Sequence, residues 1–469
     1  MNIELIVNLI ESRLKFIPTS DQKKLIRDLS GFILDVNTPI FLLKGYAGTG
    51  KTSVIAALVR SLGEIRINTV LMAPTGRAAK VLASYAGFKA FTIHKRIYRQ
   101  KSIDEQPEFL LAPNMYKDTV FIVDEASMIS GNLYEQSVFG SGNLLEDMMN
   151  YIQSGTRCKV IIVGDSAQLP PVGFSLSPAL DVGKLGCYGN CMDSELKEVV
   201  RQTNKSGILF NATAIRKQIE ANDVRFPKFR TGFPDIINIS GMDLIETLSD
   251  AYSKYGKEET IVICRSNKKA NKYNEGIRNQ VLFMEDEIAS GDKVMVVKNN
   301  YKLSNDIEDI DFIANGDMAT IRRIRKYHQR YGLHFADMIL EFPDYNNLEL
   351  ENKAILDTLA TESASLSAEM NKQLFYSLVE DYMHITNKRQ RYKAIKEDPF
   401  FNALQIKFAY AVTCHKSQGG QWECVFLDCP YFADDNITFE DLRWFYTAVT
   451  RASKQLYLVN FNEKYLTDN

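Results

Sequence analysis

The run Gly45-Tyr-Ala-Gly-Thr-Gly50-Lys51-Thr52 is the part of the chain best suited to chemistry. Its glycines let backbone N–H groups wrap an anion, and a helix opening at Lys51 adds its positive end. The spacing is that of a phosphate-binding loop (P-loop), and its setting fits: an apolar run at 40–44 precedes it and a helical pattern follows. Lys51 is expected to bridge the β- and γ-phosphates and Thr52 to hold Mg2+, with Gly45, Ala47, Gly48, Thr49, Gly50 and Ser53 completing the nucleotide cradle. A second apolar run, 120–123, ends in Asp124-Glu125. Carboxylates at such a strand end face the ligand crevice. Asp124 is expected to hold Mg2+ through water, and Glu125 to orient or deprotonate an attacking water. A third run, 161–163, leads into Gly164-Asp165-Ser-Ala-Gln168. Gln168 is placed to sense a γ-phosphate, though on its own a glutamine on a surface turn is the plainer reading.

The elements that position these groups follow from the short apolar runs. Residues 40–44, 69–73, 120–123 and 159–163 read as strands between helices, which predicts a parallel sheet covered on both faces. A second set starts with a strand at 260–264 and a helix-compatible stretch at 267–280. After Gly291 the texture changes: 293–298, the turns at 299–310 and 315–317, and the run 320–324 suggest a small β unit. Residues 348–397, rich in Lys and Glu, read as helical, and strands return at 424–428 and 455–459. The simplest architecture is a second α/β domain interrupted by an insertion.

Composition bounds the rest. The 469 residues allow two or three domains, and 45% hydrophobic with 24% charged residues is ordinary for a globular protein. No apolar run is long enough to span a membrane. The first residues are apolar but carry Glu4, Glu11 and Arg13, which suits an amphipathic helix better than a signal peptide. Seven cysteines without a C-x-x-C pair point to free thiols in the cytoplasm. Cys187 and Cys191 lack a matching second pair, so no structural metal is expected there. The net charge of −2 announces no nucleic-acid partner, but residues 65–103 contain no Asp or Glu and carry Arg66, Arg77, Lys80, Lys89, Lys95, Arg96, Arg99 and Lys101. A phosphate backbone suits such a one-signed surface; a solvated basic face is the plain alternative.

Further motifs follow in order: Ala73-Pro-Thr-Gly-Arg-Ala-Ala-Lys80, Thr92-Ile-His94, Val199-Val-Arg201-Gln202, Gly291-Asp-Lys-Val-Met295 with Asn315-Gly-Asp317, Tyr410-Ala-Val-Thr-Cys-His-Lys-Ser-Gln-Gly419 and Tyr446-Thr-Ala-Val-Thr-Arg451-Ala. With the P-loop, DEASM at 124–128 and GDSAQLPPVG at 164–173, this ordered set resembles the superfamily 1 helicases, in particular the 5′-to-3′ RecD-like and Dda-like group. The resemblance covers roughly residues 20 to 460. It implies ATP and Mg2+ as cofactors, Arg201 and Arg451 as arginines reaching the γ-phosphate, Gln22 as the adenine reader and Gly419 beside the nucleotide. It also implies DNA contacts from Pro74, Thr75, Arg77, Thr92, His94, Thr413, His415 and Lys416. Hydroxyl and imidazole groups suit phosphate and sugar, although a lone histidine is more often structural. Cys414 and Gly420-Gln421-Trp422 depart from the usual pattern at positions that carry no hydrolysis chemistry, and the helical stretch at about 345–400 matches nothing in the family.

The fold class expected is therefore α/β: two RecA-like P-loop domains with parallel sheets, a small β-hairpin insertion in the first and an SH3-like β plus helical insertion in the second. The expected divisions are 1–205, then 206–295 with 406–469, with 296–405 as the insertion. The polar stretch at about 99–117 is a candidate duplex-splitting pin with Phe109 as its wedge, or an ordinary surface loop. Trp422 and Trp444 suit core packing better than base stacking. The activity expected is that of an ATP-dependent helicase stepping 5′ to 3′ on single-stranded DNA in repair, recombination or replication. It would act as a monomer at single- to double-strand junctions, without a membrane partner. The alternative is a translocating ATPase that strips proteins without unwinding. A passive nucleotide-gated binding module has no need of Glu125, Arg201 and Arg451 together. No carboxylate cluster outside the nucleotide site supports a nuclease.

Overall fold

The computed structural model describes residues 2–100, 109–131, 139–199, 206–300, 313–432 and 436–467. In the first domain six strands form one sheet in the spatial order Ala90–Thr92, Asn68–Ala73, Thr119–Val123, Lys159–Gly164, Ile40–Gly45, Cys191–Leu196. Every neighbouring pair is parallel. Side chains alternate across a strand, so Ile40 and Leu42 join Phe121, Met148 and Ile152 on one face. Phe41 and Leu43 meet Leu25, Phe32, Val54 and Leu58 of the helices on the other. Two strands are absent from the apolar-run reading, and both lie at sheet edges. Cys191–Leu196 is only partly buried and reads Cys-Met-Asp-Ser-Glu-Leu, so no apolar run marks it.

The second sheet holds, in order, Ile236–Ile239, Ala452–Val459, Trp422–Asp428, Thr260–Cys264 and Ala411–Thr413, again all parallel. Between Thr260–Cys264 and Ala411–Thr413 the chain builds a closed barrel from Lys293–Val296, Met318–Arg330, Leu333–Phe342, Leu348–Ile355 and Leu404–Phe408. One expectation is corrected here. Leu348–Ile355, read as helical from its Glu and Lys content, is a strand paired antiparallel with Leu333–Phe342. Leu350 and Ala354, at period two, point into the barrel core. The helices begin later, at Ala368–Asp381 and Lys388–Glu397. Leu374, Leu378 and Ile395 seat them on Leu333, Phe335 and Ile355 of the barrel.

A short antiparallel pair joins Tyr98–Gln100 to Phe109–Leu111; the residues between, 101–108, lie outside the described ones. Phe109 is not an exposed wedge. It is 2% exposed, with its ring 4.7 Å from that of Phe139. Tyr98 and His94 complete the aromatic cluster at 5.0 and 4.8 Å from Phe139. The buried Tyr98 hydroxyl donates to Asp147 Oδ2 at 2.7 Å. Phe109 therefore anchors the pair to the first domain's core. Phe109→Ala is expected to destabilise that domain by about 3–5 kcal/mol, the usual loss for a fully buried phenylalanine. Urea unfolding followed by circular dichroism measures it, and a loss below about 1 kcal/mol contradicts this packing.

Candidate active site

The strand Ile40–Gly45 runs into the P-loop, and the helix Lys51–Glu64 leaves it. Gly48 and Gly50 have φ of 76° and 85°, values that favour glycine. Gly50 caps the helix without any side-chain hydrogen bond, which leaves the N–H groups of the first turn open to an anion. A Cβ on Gly48 would stand 2.9 Å from Leu209 Cδ2, which must shift, and the left-handed φ strains any side chain there. Lys51 Nζ donates to the carbonyls of Gly45 and Tyr46, which keeps it over the loop. Thr52 and Ser53, in the helix's first turn, are partly exposed. Gln22, expected to read adenine, is fully buried. Its Oε1 accepts from Thr19 N at 3.0 Å and its Nε2 donates to the Thr49 carbonyl at 2.8 Å. The structure makes it a strut beneath the loop.

Asp124 and Glu125 stand at the carboxyl end of Thr119–Val123. Burial, and then the charge of Glu125, push the Asp124 carboxyl up to about 6; the Glu125 N–H and Lys51 oppose the shift. A carboxylate short of positive charge in this way suits a divalent cation. Glu125 sits at φ 53°, in the left-handed region, with its N–H donating to Asp124 Oδ1 at 2.8 Å. Such a backbone on a non-glycine residue is strained and tends to mark working sites. Gln168 is 7% exposed, and its Oε1 has no hydrogen-bond partner in the protein. An uncapped helix start, a desolvated carboxyl beside a second carboxylate and an orphaned acceptor together fit a nucleoside triphosphate with a divalent cation. Thr52 and Asp124 are the residues suited to hold that cation.

The second domain closes on this site. Tyr446, in the helix Phe439–Val449, accepts from the Ala47 N–H of the P-loop at 2.8 Å and donates to Asp165 Oδ2 at 2.7 Å. Thr447 Oγ1 accepts from Leu169 N at 2.9 Å, and Gln418 Nε2 donates to the Leu169 carbonyl at 2.7 Å. The Arg216 guanidinium lies over the Tyr46 ring at 4.5 Å. The sequence reading gave neither Tyr446 nor Arg216 a role: Tyr446 stands inside a recognised motif, and Arg216 lies in none. Arg451 is 4% exposed, and its guanidinium donates to the carbonyls of Thr447 and Gly420, each at 3.0 Å. In this state it is held inside its own domain rather than extended to the P-loop. Arg201 and Gln202 lie outside the described residues. Gly419 is also corrected: a Cβ there would meet Thr75, Ala78 and Met128, so it packs against the helix Gly76–Ala86 and not against Gly45–Ser53.

The residues expected to meet DNA share a structural motif. Thr75, Thr92 and Thr413 each precede a helix at the carboxyl end of a strand. Thr75 and Thr92 cap theirs, accepting from Ala78 N and Lys95 N at 3.2 Å. Pro74 is partly exposed beside Thr75, and His415 is exposed. Lys416 donates to Asn315 Oδ1 of the barrel. His94 packs in the Phe139 cluster, and burial pushes its imidazole down to about 4, so it is neutral at physiological pH. A neutral ring attracts phosphate weakly, which reduces the contact expected of it. Nor is Arg77 free on a basic face. Its Nη2 donates to the Gln421 carbonyl at 3.0 Å and its guanidinium lies 4.2 Å over the Trp422 ring. Lys80 pairs with Asp344, and Arg96 stacks on Phe91 at 4.1 Å. The one-signed stretch is thus partly spent on bridging domains. Trp422 and Trp444 are buried at 1% and 3% exposure, as core residues.

Fold and site define a two-domain P-loop nucleoside triphosphatase whose cleft lies between parallel sheets. Comparison with known proteins narrows this. Residues 19–226 match the family model described as an AAA domain, and 408–459 match the UvrD-like helicase C-terminal domain. The chain is 25% identical over 453 residues to the ATP-dependent DNA helicase dda of Enterobacteria phage T4, covering 89% of this chain and 93% of that protein. It is 30% identical over 200 residues to the ATP-dependent RecD2 DNA helicase of Deinococcus radiodurans, covering 41% of this chain and 23% of that protein. The solved structure of a Bacteroides Pif1 helicase with ADP-AlF3 and ssDNA aligns over 97% of this chain and 95% of its own, at 16% identity and a TM-score of 0.49. The chain is a superfamily 1 helicase of the Dda and RecD type. Among the described residues no helix is long and apolar enough to cross a membrane.

Gly48→Ala tests the cradle: it forces a side chain into a left-handed position against Leu209. A fluorescent ATP analogue is expected to bind about 5- to 30-fold more weakly than to the native chain, as a strain of about 1–2 kcal/mol predicts. Unchanged affinity contradicts the loop geometry described above.

Proposed function

We propose that this chain is an ATP-driven motor that tracks 5′ to 3′ along single-stranded DNA and separates the duplex it meets. The observation that carries the reading is the direct contact across the cleft: a P-loop backbone N–H of one domain bonds to a side chain on the other domain's helix Phe439–Val449. Hydrolysis at such a seam changes the fit between two rigid bodies, and rigid-body closure and release is how such a change becomes movement. Bound Mg-ATP supplies the phosphoanhydride, the cation spreading the charge that builds up on its oxygens. Lys51 and the open N–H groups of the P-loop cradle the phosphates. Glu125 takes the proton of the attacking water, and the free Gln168 Oε1 orients that water. Arg451 acts only after leaving the carbonyls of Thr447 and Gly420, so its release is tied to the state of the cleft. Thr75, Thr92, Thr413 and His415 offer hydroxyl and imidazole contacts to sugar and phosphate. That the two named relatives are DNA helicases supports DNA as the track; the 5′-to-3′ direction rests on motif resemblance.

The reading is tested with two partial duplexes, one carrying a 5′ single-stranded tail and one a 3′ tail, each with and without ATP. Strand separation only from the 5′ tail and only with ATP is expected. Unwinding from the 3′ tail reverses the direction. No unwinding, with ATPase activity still stimulated by single strands, favours a translocase that removes proteins; the burial of Phe109, the one wedge the sequence suggested, is an observation on that side. Lys51→Ala is expected to abolish ATP hydrolysis, and Glu125→Gln to keep nucleotide affinity within about twofold while lowering turnover by about 10²-fold or more. Near-native turnover in Glu125→Gln removes the base assignment.

A further inference from the structure

Tyr446 is 1% exposed and Asp165 is 2% exposed. A phenol hydroxyl has one proton to donate and lone pairs to accept. Here the proton goes to Asp165 Oδ2 at 2.7 Å and a lone pair takes the Ala47 N–H at 2.8 Å. Asp165 is fixed in turn, its Oδ1 accepting from Ala167 N at 2.9 Å. One oxygen atom thus ties together the P-loop backbone, the carboxyl end of the strand Lys159–Gly164 and the second domain's helix Phe439–Val449. Burial and the Asp165 carboxylate hold this hydroxyl protonated well above the usual tyrosine range, so it serves as a fixed hydrogen-bonding group and not as an acid or base. Thr447, the next residue, repeats the linkage: its hydroxyl accepts from Leu169 N, and its carbonyl accepts from Arg451 Nε. The helix that Tyr446 docks on the P-loop is therefore the one whose last turn holds Arg451.

We propose that Tyr446 is a positioning residue for hydrolysis: its hydroxyl sets the register between the P-loop and the helix Phe439–Val449, and so sets where the Arg451 guanidinium stands when it turns to the nucleotide. The inference rests on the reading of Arg451 as an arginine that reaches the γ-phosphate. It differs from ordinary core packing in one respect. Phenylalanine keeps the ring and its apolar contacts and removes only the oxygen.

The test is steady-state ATP hydrolysis, stimulated by single-stranded DNA, for four full-length chains: native, Tyr446→Phe, Arg451→Ala and the double variant. KM for ATP and the thermal midpoint are measured beside kcat. Tyr446→Phe is expected to lower kcat by about tenfold with KM within about twofold, as loss of a buried hydrogen bond felt only in the reacting state predicts. Arg451→Ala is expected to lower kcat further, and the double variant to match Arg451→Ala alone, because both act through one guanidinium. Native kcat in Tyr446→Phe beside an impaired Arg451→Ala overturns the inference and leaves the arginine reading standing. A double variant that loses the product of the two single losses also overturns it. Native turnover in Arg451→Ala removes the premise, and the inference with it. If Tyr446→Phe lowers the thermal midpoint markedly, Asp165→Asn, which weakens the same bond without touching the helix, must show the same kcat loss, and native kcat there overturns the proposal.

Discussion

Tyr46, Ala167 and Leu169 of the first domain are buried in one cluster with Ile208, Ala212, Trp444, Phe445 and Tyr446 of the second. Burying a large side chain contributes roughly 1.5–3 kcal/mol, so this apolar floor alone favours a closed cleft. The polar groups that work above it pay for that closure in solvation: Asp165, Gln168 and Arg451 are almost entirely withdrawn from water. Their hydrogen bonds are then made in a medium where an unmade bond is costly. Burial also raises the Asp124 carboxyl, which makes a bound cation worth more. On the motor reading proposed above, closure and chemistry are one energetic problem, and a nucleotide has only to tip the balance between burial and solvation to move a domain.

Two parallel sheets supply the rigidity that this requires. Each presents loops at the carboxyl ends of its strands: Gly45, Asp124 and Gly164 in the first, Thr413 in the second. Such edges collect side chains from elements far apart in sequence, which is how residues 47, 165 and 446 come to share one oxygen atom. The barrel joins the first domain as well as the second. Gly76 lies against Tyr345 and Asp317, Lys80 against Asp344, and the Tyr345 hydroxyl donates to Asp317 Oδ2 at 2.7 Å. The helix Gly76–Ala86, which the motif reading assigned to DNA, is thus bounded on one side by the barrel and on another by the turn at Gly419 to Trp422. Movement of either domain is felt at that helix.

Much of this was legible in the chain itself. The P-loop and the Asp124-Glu125 pair are local signals, because glycine conformation and strand-end carboxylates are needed whatever surrounds them. The buried central strands are near-continuous apolar runs, and the sheets follow from them. What was not legible depends on tertiary context. Cys191–Leu196 is an edge strand with no apolar run. Leu348–Ile355 hides a period-two pattern behind Glu and Lys, so composition suggested a helix where alternation of Leu348, Leu350 and Ala354 indicated a strand. The roles of Phe109, Gln22 and Arg77 turned on burial and on partners distant in sequence: Phe139, the Thr49 carbonyl and the Gln421 carbonyl. Tyr446 stood inside a recognised motif, yet only its two hydrogen bonds give it a function distinct from its neighbours.

If the chain is the proposed motor, nucleotide state controls the fit between its two domains. Val36 in the first domain and Met242 in the second are 88% and 92% exposed, which makes them suitable positions for spin labels after cysteine substitution, with the exposed Cys187 replaced. Pulsed electron–electron resonance distances are measured with single-stranded DNA present, in a non-hydrolysable ATP analogue and again in ADP. A narrow distribution is expected with the analogue, at the separation of the closed cleft, and a longer and broader one with ADP. Identical distributions in both states contradict it, because hydrolysis would then leave the seam between the domains unchanged.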